Sequence, residues 1–307
     1  MNVYTNPAEL VSAALTTDVP SISSSAMTVD LSIGYWAGNK LDRQASKEVT
    51  DANNAETGAA RVNKSLLGNC RELVAIRKFV ANARSVNYSM TMPWSNTGAR
   101  LLPTAVMFKH KTTMTDLEQD FHRMVERFLV IYDWEVTKAQ ATLGDLFNRR
   151  EYPAQDTLRR RFHWEMTYCP LPDAGDFRID VQNEALATMK SDYSAYYSTQ
   201  LQGAMNDIWQ RTHKVLVRMS KMLDYATKED RQHTGFRDTL VSNALEIADL
   251  LDVCNVSHDP QMTAARFKLE DTLRGVTADA LREDDYLRSE TKRSVDEIIS
   301  TLPSLDF

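Results

Sequence analysis

The residues best suited to chemistry in this sequence are basic and aromatic side chains between positions 61 and 111. This segment contains nine Lys and Arg residues but a single acid, Glu72. Basic side chains neutralise phosphates, and aromatic rings stack on the bases of single strands. The candidate residues for binding a nucleic acid or a protein partner are Arg77, Lys78, Arg84, Tyr88, Trp94, Arg100, Lys109 and Lys111.

An acidic region near the C-terminus offers a different explanation for this basic segment. Residues 227–307 contain ten Lys and Arg residues against seventeen Asp and Glu, and the whole chain carries a net charge of −6. Oppositely charged regions usually compensate each other, within one chain or between chains. We therefore expect the basic residues of the loop at 91–111 to lie on an accessible surface that faces acidic protein, with single-stranded nucleic acid as the alternative.

Trp94 lies in this same loop, between Pro93 and Gly98. Loops carry recognition residues more often than cores do, so the indole could contact a ligand. It could also anchor the loop to neighbouring helices, and this second interpretation is favoured.

Other groups of reactive residues fit structural roles better than catalysis. His122 and Glu126 could share one helix face, which is more often a surface contact than a metal site. The acidic triplet at 283–285 is interpreted as a solvated helix face, and the Asp residues within 173–180 as members of salt links. Cys70 falls on an apolar stripe and is assigned to the core.

Sequence signatures of common enzyme sites are missing. The sequence has no GxGxxG, GxxxxGK[ST], HExxH or GxSxG pattern. We therefore assign no catalytic residue, no metal and no cofactor. A non-enzymatic function is favoured over an enzyme of nucleotide metabolism.

The cysteines and the hydropathy of the chain indicate its compartment. Three cysteines lie far apart without a CxxC pair, as expected of free thiols in a reducing compartment. No apolar run approaches the roughly 18 residues of a membrane helix, and the N-terminus lacks the pattern of a secretory signal. We expect no membrane association.

Hydrophobic periodicity predicts a mainly α fold, with long amphipathic helices in a bundle and a small β element. A capping-box pattern at Thr115 and Glu118 predicts the start of a helix whose apolar stripe continues to Phe147. Another helix is predicted from about Arg61 to Val80. A third, from Glu184 to about Ala226, would be roughly 60 Å long. Further helices close the chain: one around Leu240–Cys254, one after Pro260 and one from Thr277 to about Thr301.

The predicted β element consists of short alternating segments. Residues 29–35 alternate apolar and polar side chains, as a half-buried strand does. Residues 164–168 and 177–181 alternate around a Pro- and Gly-containing turn, which predicts a hairpin. The predicted organisation is a flexible arm at 1–26, a helical domain with the β element at 27–185, and a C-terminal bundle at 186–307 that could be continuous with it.

Three stretches of the sequence resemble a family of uncharacterised helical proteins encoded by tailed bacteriophages. They are LSIGYWAGNKL (31–41), MPWSNTGARLLP (92–103), and the block LGDLFNRREYP with PLPDAGDFRIDV (143–153 and 170–181). The resemblance covers roughly residues 28–185 and brings no catalytic residue with it. It implies a viral protein in the cytoplasm of the infected bacterial host. Such proteins are often encoded near a MoxR-like AAA+ ATPase and a von Willebrand factor A protein, which are then candidate partners.

These observations favour a non-enzymatic phage interaction or assembly protein that forms a homo-oligomer or acts as an adaptor. The alternative is a protein that binds single-stranded nucleic acid through the basic segment at 61–111.

Overall fold

Helices account for most of the chain, as the sequence predicts. The computed structural model describes residues 22–171, 184–224 and 239–303. Its helices are α1 (Arg43–Ala52), α2 (Arg71–Met90), α3 (Met107–Leu143), α4 (Gln155–Arg159), α5 (Glu184–Leu223), α6 (Thr239–Val253), α7 (Pro260–Thr272), α8 (Ala278–Glu283) and α9 (Asp285–Thr301). Its strands are β1 (Ala26–Gly34), β2 (Asn39–Asp42), β3 (Val62–Ser65), β4 (Met92–Pro93), β5 (Arg100–Pro103) and β6 (His163–Pro170). The mainly α fold with a minor β component is confirmed.

Two small sheets make up the β component. One has the strand order β4-β5-β1-β6, and the other pairs β2 with β3. Strands β1 and β5 are antiparallel, with Ala26 opposite Pro103 and Val29 opposite Arg100. The predicted alternation in β1 is confirmed, because Val29 and Ile33 are buried whereas Asp30 is exposed. Strand β6 neighbours β1, and the predicted hairpin partner at 177–181 lies outside the described residues.

The chain divides into two compact units. Unit 1 comprises residues up to Val29, Thr91–Met107 and Tyr168 onwards, and unit 2 comprises Asp30–Met90 and Phe108–Thr167. The predicted boundary near residue 185 does not appear in this division, and residues 91–107 belong to a different unit from their neighbours on both sides. Ile22 and Ala26, which fall in the predicted flexible arm, are buried. Residues 1–21 lie outside the described part.

The core of unit 2 is built mainly by α2 and α3. The predicted apolar stripe of α3 is confirmed, with Phe121, Phe128, Tyr132 and Val136 buried. These residues recur at three- or four-residue spacing, so one face of the helix is removed from water along most of its length. Burial raises the pKa of Tyr132 to about 12, and its hydroxyl donates a hydrogen bond of 2.9 Å to the carbonyl of Pro153.

Two predicted helix starts in unit 2 are wrong. The helix expected from Arg61 begins at Arg71, because residues 62–65 form β3 and pair with β2. A spacing of three or four residues over so short a segment does not distinguish a strand from a helix. The helix expected from Thr115 begins at Met107, directly after a 3₁₀ turn at Thr104–Val106 that already supplies its entry.

The core of unit 1 is organised around α5, which has 40 residues. Helices α6 and α9 and strand β4 pack on it, and α7 packs on α6 and α9. The predicted long helix is confirmed over Glu184–Leu223. The single helix predicted from Thr277 to Thr301 is instead divided into α8 and α9, because Asp284 adopts an extended conformation and caps α9. Across the described ranges, no helix combines the length and the apolar character needed to cross a membrane.

Candidate functional site

The eight candidate residues of the basic segment fall in different units. Trp94 and Arg100 belong to unit 1. The remaining six belong to unit 2, where they lie on α2 and on the first turn of α3.

Three of the arginines hold backbone carbonyls of their own unit. Arg77 donates a hydrogen bond of 3.0 Å to the carbonyl of Ala37, and Arg84 one of 2.8 Å to that of Ile33. Arg100 donates through Nε to Oγ1 of Thr91 at 2.6 Å and through Nη2 to the Thr91 carbonyl at 2.9 Å. These guanidinium groups therefore have structural partners, which the sequence alone does not reveal.

Trp94 is only 8% exposed. Its ring packs edge-on against Tyr197 of α5 with 5.4 Å between the ring centroids, a favoured aromatic geometry. Its backbone N–H donates to the carbonyl of Ala99 within the β4–β5 hairpin. Trp94 therefore pins this hairpin to α5.

The lysines of the segment differ from one another. Lys78, Lys109 and Lys111 are exposed, and Tyr88, ten residues after Lys78 on α2, is 50% exposed. Lys64 is instead enclosed by two carboxylates, 3.4 Å from Asp42 and 2.9 Å from Glu151. The hydrogen bond with Glu151 is the main cause of the raised pKa of Lys64. Part of the positive charge counted in the sequence is therefore neutralised inside unit 2.

A concave groove lies between α2 and α3 in unit 2. It has a volume of about 540 Å³. The lining residues are Arg71, Glu72, Ala75, Met124, Arg127, Val130 and Ile131. A shallower depression continues along α2 to Lys78, sharing Arg71 and Ala75 with the first. We call these together the α2–α3 groove.

The α3 side of this groove carries unusually exposed apolar side chains. Val130, which lines the groove, is 82% exposed. Trp134 follows one turn later, outside the lining, and is 63% exposed, with Lys138 Nζ 5.1 Å from its ring centroid. They follow Arg127 at spacings of three and four residues, so they form one stripe on the helix. Because Phe128 and Tyr132 occupy the buried face, Val130 and Trp134 must face outward. Both are apolar residues that lie outside the apolar stripe of α3. Apolar residues in such positions are the sequence signal that could have identified this groove.

The groove is basic as well as apolar. Arg71, Lys78 and Arg127 line it, against Glu72 as the acid of the lining. Within the described ranges, none of these three cations forms an ion pair. A groove with apolar walls and uncompensated cations favours an acidic, amphipathic occupant.

An exposed face of α6 in unit 1 has the opposite character. Glu246 and Asp249 are exposed, and neither forms an ion pair within the described part of the chain. Asp249 is nevertheless close enough to Arg266 to help raise the pKa of that guanidinium. Leu245 beside them is 40% exposed. Asp252, one turn further, is paired with Arg266. Leu245, Glu246 and Asp249 therefore form an acidic stripe with an apolar side chain, which we call the acidic α6 face.

The remaining reactive residues have structural partners. His122 lies 3.9 Å from Glu118 rather than beside Glu126, which pairs with Arg159. Burial raises the pKa of Cys70, and raises that of Cys254 to about 12, so both thiols are held in the protonated form.

No group of three or more His, Cys, Asp or Glu residues suited to hold a metal occurs in the described portion of the chain. The Asp residues at 173–180 lie outside that portion. Asp284, from the acidic triplet, accepts hydrogen bonds from the N–H groups of Tyr286 and Leu287.

No protein-family model, curated protein or solved structure matches this chain. The α2–α3 groove and the acidic α6 face are therefore the features that bear on function.

Proposed function

We propose that this chain is a non-enzymatic interaction protein that self-associates. In the proposed contact, the α2–α3 groove of one copy receives the acidic α6 face of another. The observation that carries this proposal is the exposure of Val130 and Trp134 beside the uncompensated cation of Arg127.

Exposed apolar side chains in such a setting are characteristic of interfaces. Clustered apolar groups rimmed by charge mark association sites, and Trp and Arg are enriched among the residues that dominate binding. Fully burying a side chain such as Val stabilises by about 1.5–3 kcal/mol. Each copy thus carries an apolar driving force for association on α3.

Charge then determines which surface is bound. The cations of the groove would meet Glu246 and Asp249, and Leu245 would meet the apolar wall at Val130. A helix laid in a groove presents residues at spacings of three and four, which the acidic α6 face does. Complementary charge of this kind fixes orientation and excludes other partners.

This contact joins two different surfaces and is therefore heterologous. Such contacts produce a ring when the rotation between copies closes, and an open chain when it does not. Either product suits an assembly protein. The proposal accordingly predicts a homo-oligomer whose size increases with concentration unless a ring forms.

The biological setting of the proposal comes from the sequence resemblance at 31–41, 92–103, 143–153 and 170–181. We place the protein in the cytoplasm of a phage-infected bacterium, as an assembly or adaptor protein. In the adaptor form of the proposal, a MoxR-like AAA+ ATPase or a von Willebrand factor A protein would offer an acidic helix to the same groove.

Replacing Val130 by Asp tests the self-association. The change puts a negative charge opposite the acidic α6 face and should shift the protein to monomers in sedimentation velocity, without altering its thermal stability, because Val130 is exposed. Tyr286→Asp is the matched control, since Tyr286 is 77% exposed on α9 and should leave the oligomer intact. A wild-type protein that is strictly monomeric at tens of micromolar contradicts the proposal.

Single-stranded nucleic-acid binding remains the second candidate function. It is favoured by the exposed Lys109 and Lys111 on α3 and the half-exposed ring of Tyr88 on α2. The variant Lys109→Ser with Lys111→Ser should then lose binding to an oligothymidylate, and wild-type affinity should fall steeply with salt. Arg100 is left unchanged, because its contacts with Thr91 would confuse loss of binding with loss of structure.

A further inference from the structure

A second concave site in unit 2 lies between α1, the end of β2 and the loop that follows α1. It shares no lining residue with the α2–α3 groove and has a volume of about 330 Å³. This is within the range of small-molecule sites, about 300–1,000 Å³. We call it the Arg61 pocket.

Three cations without acidic partners line the Arg61 pocket. Arg43 and Lys47 stand one turn apart on α1, and Arg61 closes the loop opposite them. None of the three forms an ion pair within the described ranges, and Asp51 is the acid among the lining residues. Converging positive charges at a concave surface raise the local concentration of anions.

Lys64, in the same unit, is a cation with a structural role. It is enclosed by Asp42 and Glu151, and its side chain is 10% exposed. The cations of the pocket have the opposite environment: exposed and uncompensated. Arginine presents two parallel N–H donors that match a phosphate group, and lysine adds a compact charge.

The rest of the pocket combines polar side chains with a small apolar surface. Ser46 accepts a hydrogen bond of 2.9 Å from the N–H of Val62, and the hydroxyl of Thr50 donates 2.7 Å to the Ser46 carbonyl. The Ser46 hydroxyl therefore ties the start of β3 to α1, whereas the Thr50 hydrogen bond lies within α1. Leu41 and Ala60 then supply apolar contact surface beside the cations.

We propose that the Arg61 pocket binds a small organic phosphate of about the size of a mononucleotide. The phosphate is held by Arg43, Lys47 and Arg61, and the organic part lies against Leu41 and Ala60. This inference goes beyond the proposed self-association, since the two surfaces have no residue in common.

Calorimetric titration of the full-length protein with adenosine monophosphate, adenosine and inorganic phosphate tests this site. Adenosine monophosphate should bind saturably, and adenosine and inorganic phosphate each at least about tenfold more weakly, because each lacks one half of the recognised group. Lys47→Ala with Arg61→Ala should weaken binding by at least about tenfold. Arg150→Ala with Arg160→Ala removes two exposed charges elsewhere in unit 2 and should change nothing.

Thermal unfolding of both double variants keeps the result interpretable, since all four side chains are exposed and the melting temperature should be unchanged. The proposal is overturned if adenosine monophosphate does not bind saturably, or binds equally well to the Lys47 and Arg61 variant. It is also overturned if inorganic phosphate binds as tightly as the nucleotide, or if an oligonucleotide alone binds.

Discussion

Asn87 and His110 form a buried polar pair between α2 and α3. His110 Nε2 lies 2.9 Å from Oδ1 of Asn87, and both residues are almost fully removed from water. Burial lowers the pKa of His110, since the charged imidazolium is poorly solvated there. The imidazole is therefore neutral in the folded unit near pH 7.

This burial predicts a pH-dependent stability. The unfolded chain protonates histidine at a pKa of about 6.5, so below that pH it binds more protons than the folded state. The free energy of unfolding should be highest above pH 7 and should decline from about pH 6.5 downwards. His110→Gln keeps a hydrogen-bond donor for Asn87 but no titrating group. Urea unfolding at pH 7.5 and 5.5 should show a larger loss for the wild type than for this variant; equal losses contradict the assignment.

Sequence patterns predicted the charge and burial of individual residues better than they predicted the tertiary contacts of those residues. The basic character of 61–111 and the core position of Cys70 were predictable from composition and spacing. The contacts of Arg77 with Ala37 and of Arg84 with Ile33 were not, because they join residues 40 and 51 positions apart. Such contacts depend on the tertiary fold, which local patterns do not encode.

Among the elements, long amphipathic helices were predicted well and short segments poorly. The stripe of α3 extends over many turns, so its period is unambiguous. Strands β3, β4 and β5 have four residues or fewer, too few to show a period. The α2–α3 groove was missed because it requires knowing which two helices pack together and which faces remain outside.

The break between α8 and α9 leads to a prediction about Asp284. Its carboxylate accepts hydrogen bonds of 2.9 and 3.0 Å from the first-turn N–H groups of Tyr286 and Leu287. Asp284→Ala should lower the free energy of unfolding by about 1 kcal/mol, the usual effect of losing an N-cap. Glu283→Ala is the control, since Glu283 ends α8 without capping a helix, and should have little effect. Urea unfolding with added calcium tests whether the acidic triplet at 283–285 instead binds a cation: calcium that stabilises the wild type but not Asp284→Ala would contradict the capping role.

At the scale of the whole molecule, the structure shows which charges of the basic segment 61–111 and of the acidic region 227–307 have partners. Some basic residues of 61–111 are neutralised locally, as Lys64 is by Asp42 and Glu151. The cations of the α2–α3 groove form no ion pair within the described residues, and neither does Glu246 on the acidic α6 face, whereas the charge of Asp249 also acts on Arg266. The α2–α3 groove and the acidic α6 face therefore carry charges of opposite sign, which suits the proposed heterologous contact between copies.

Sedimentation velocity of two charge-reversed variants, alone and mixed, tests this account most directly. One variant carries Arg71→Glu and Arg127→Glu in the groove; the other carries Glu246→Lys and Asp249→Lys on the acidic α6 face. In each variant alone, the groove and the α6 face carry charges of the same sign. The two surfaces should therefore repel each other, and each variant should be monomeric. In the mixture, each groove meets a face of opposite charge on the other variant, so association should return. A mixture that remains monomeric while the wild type associates, or single variants that associate as the wild type does, would contradict self-association through these two surfaces.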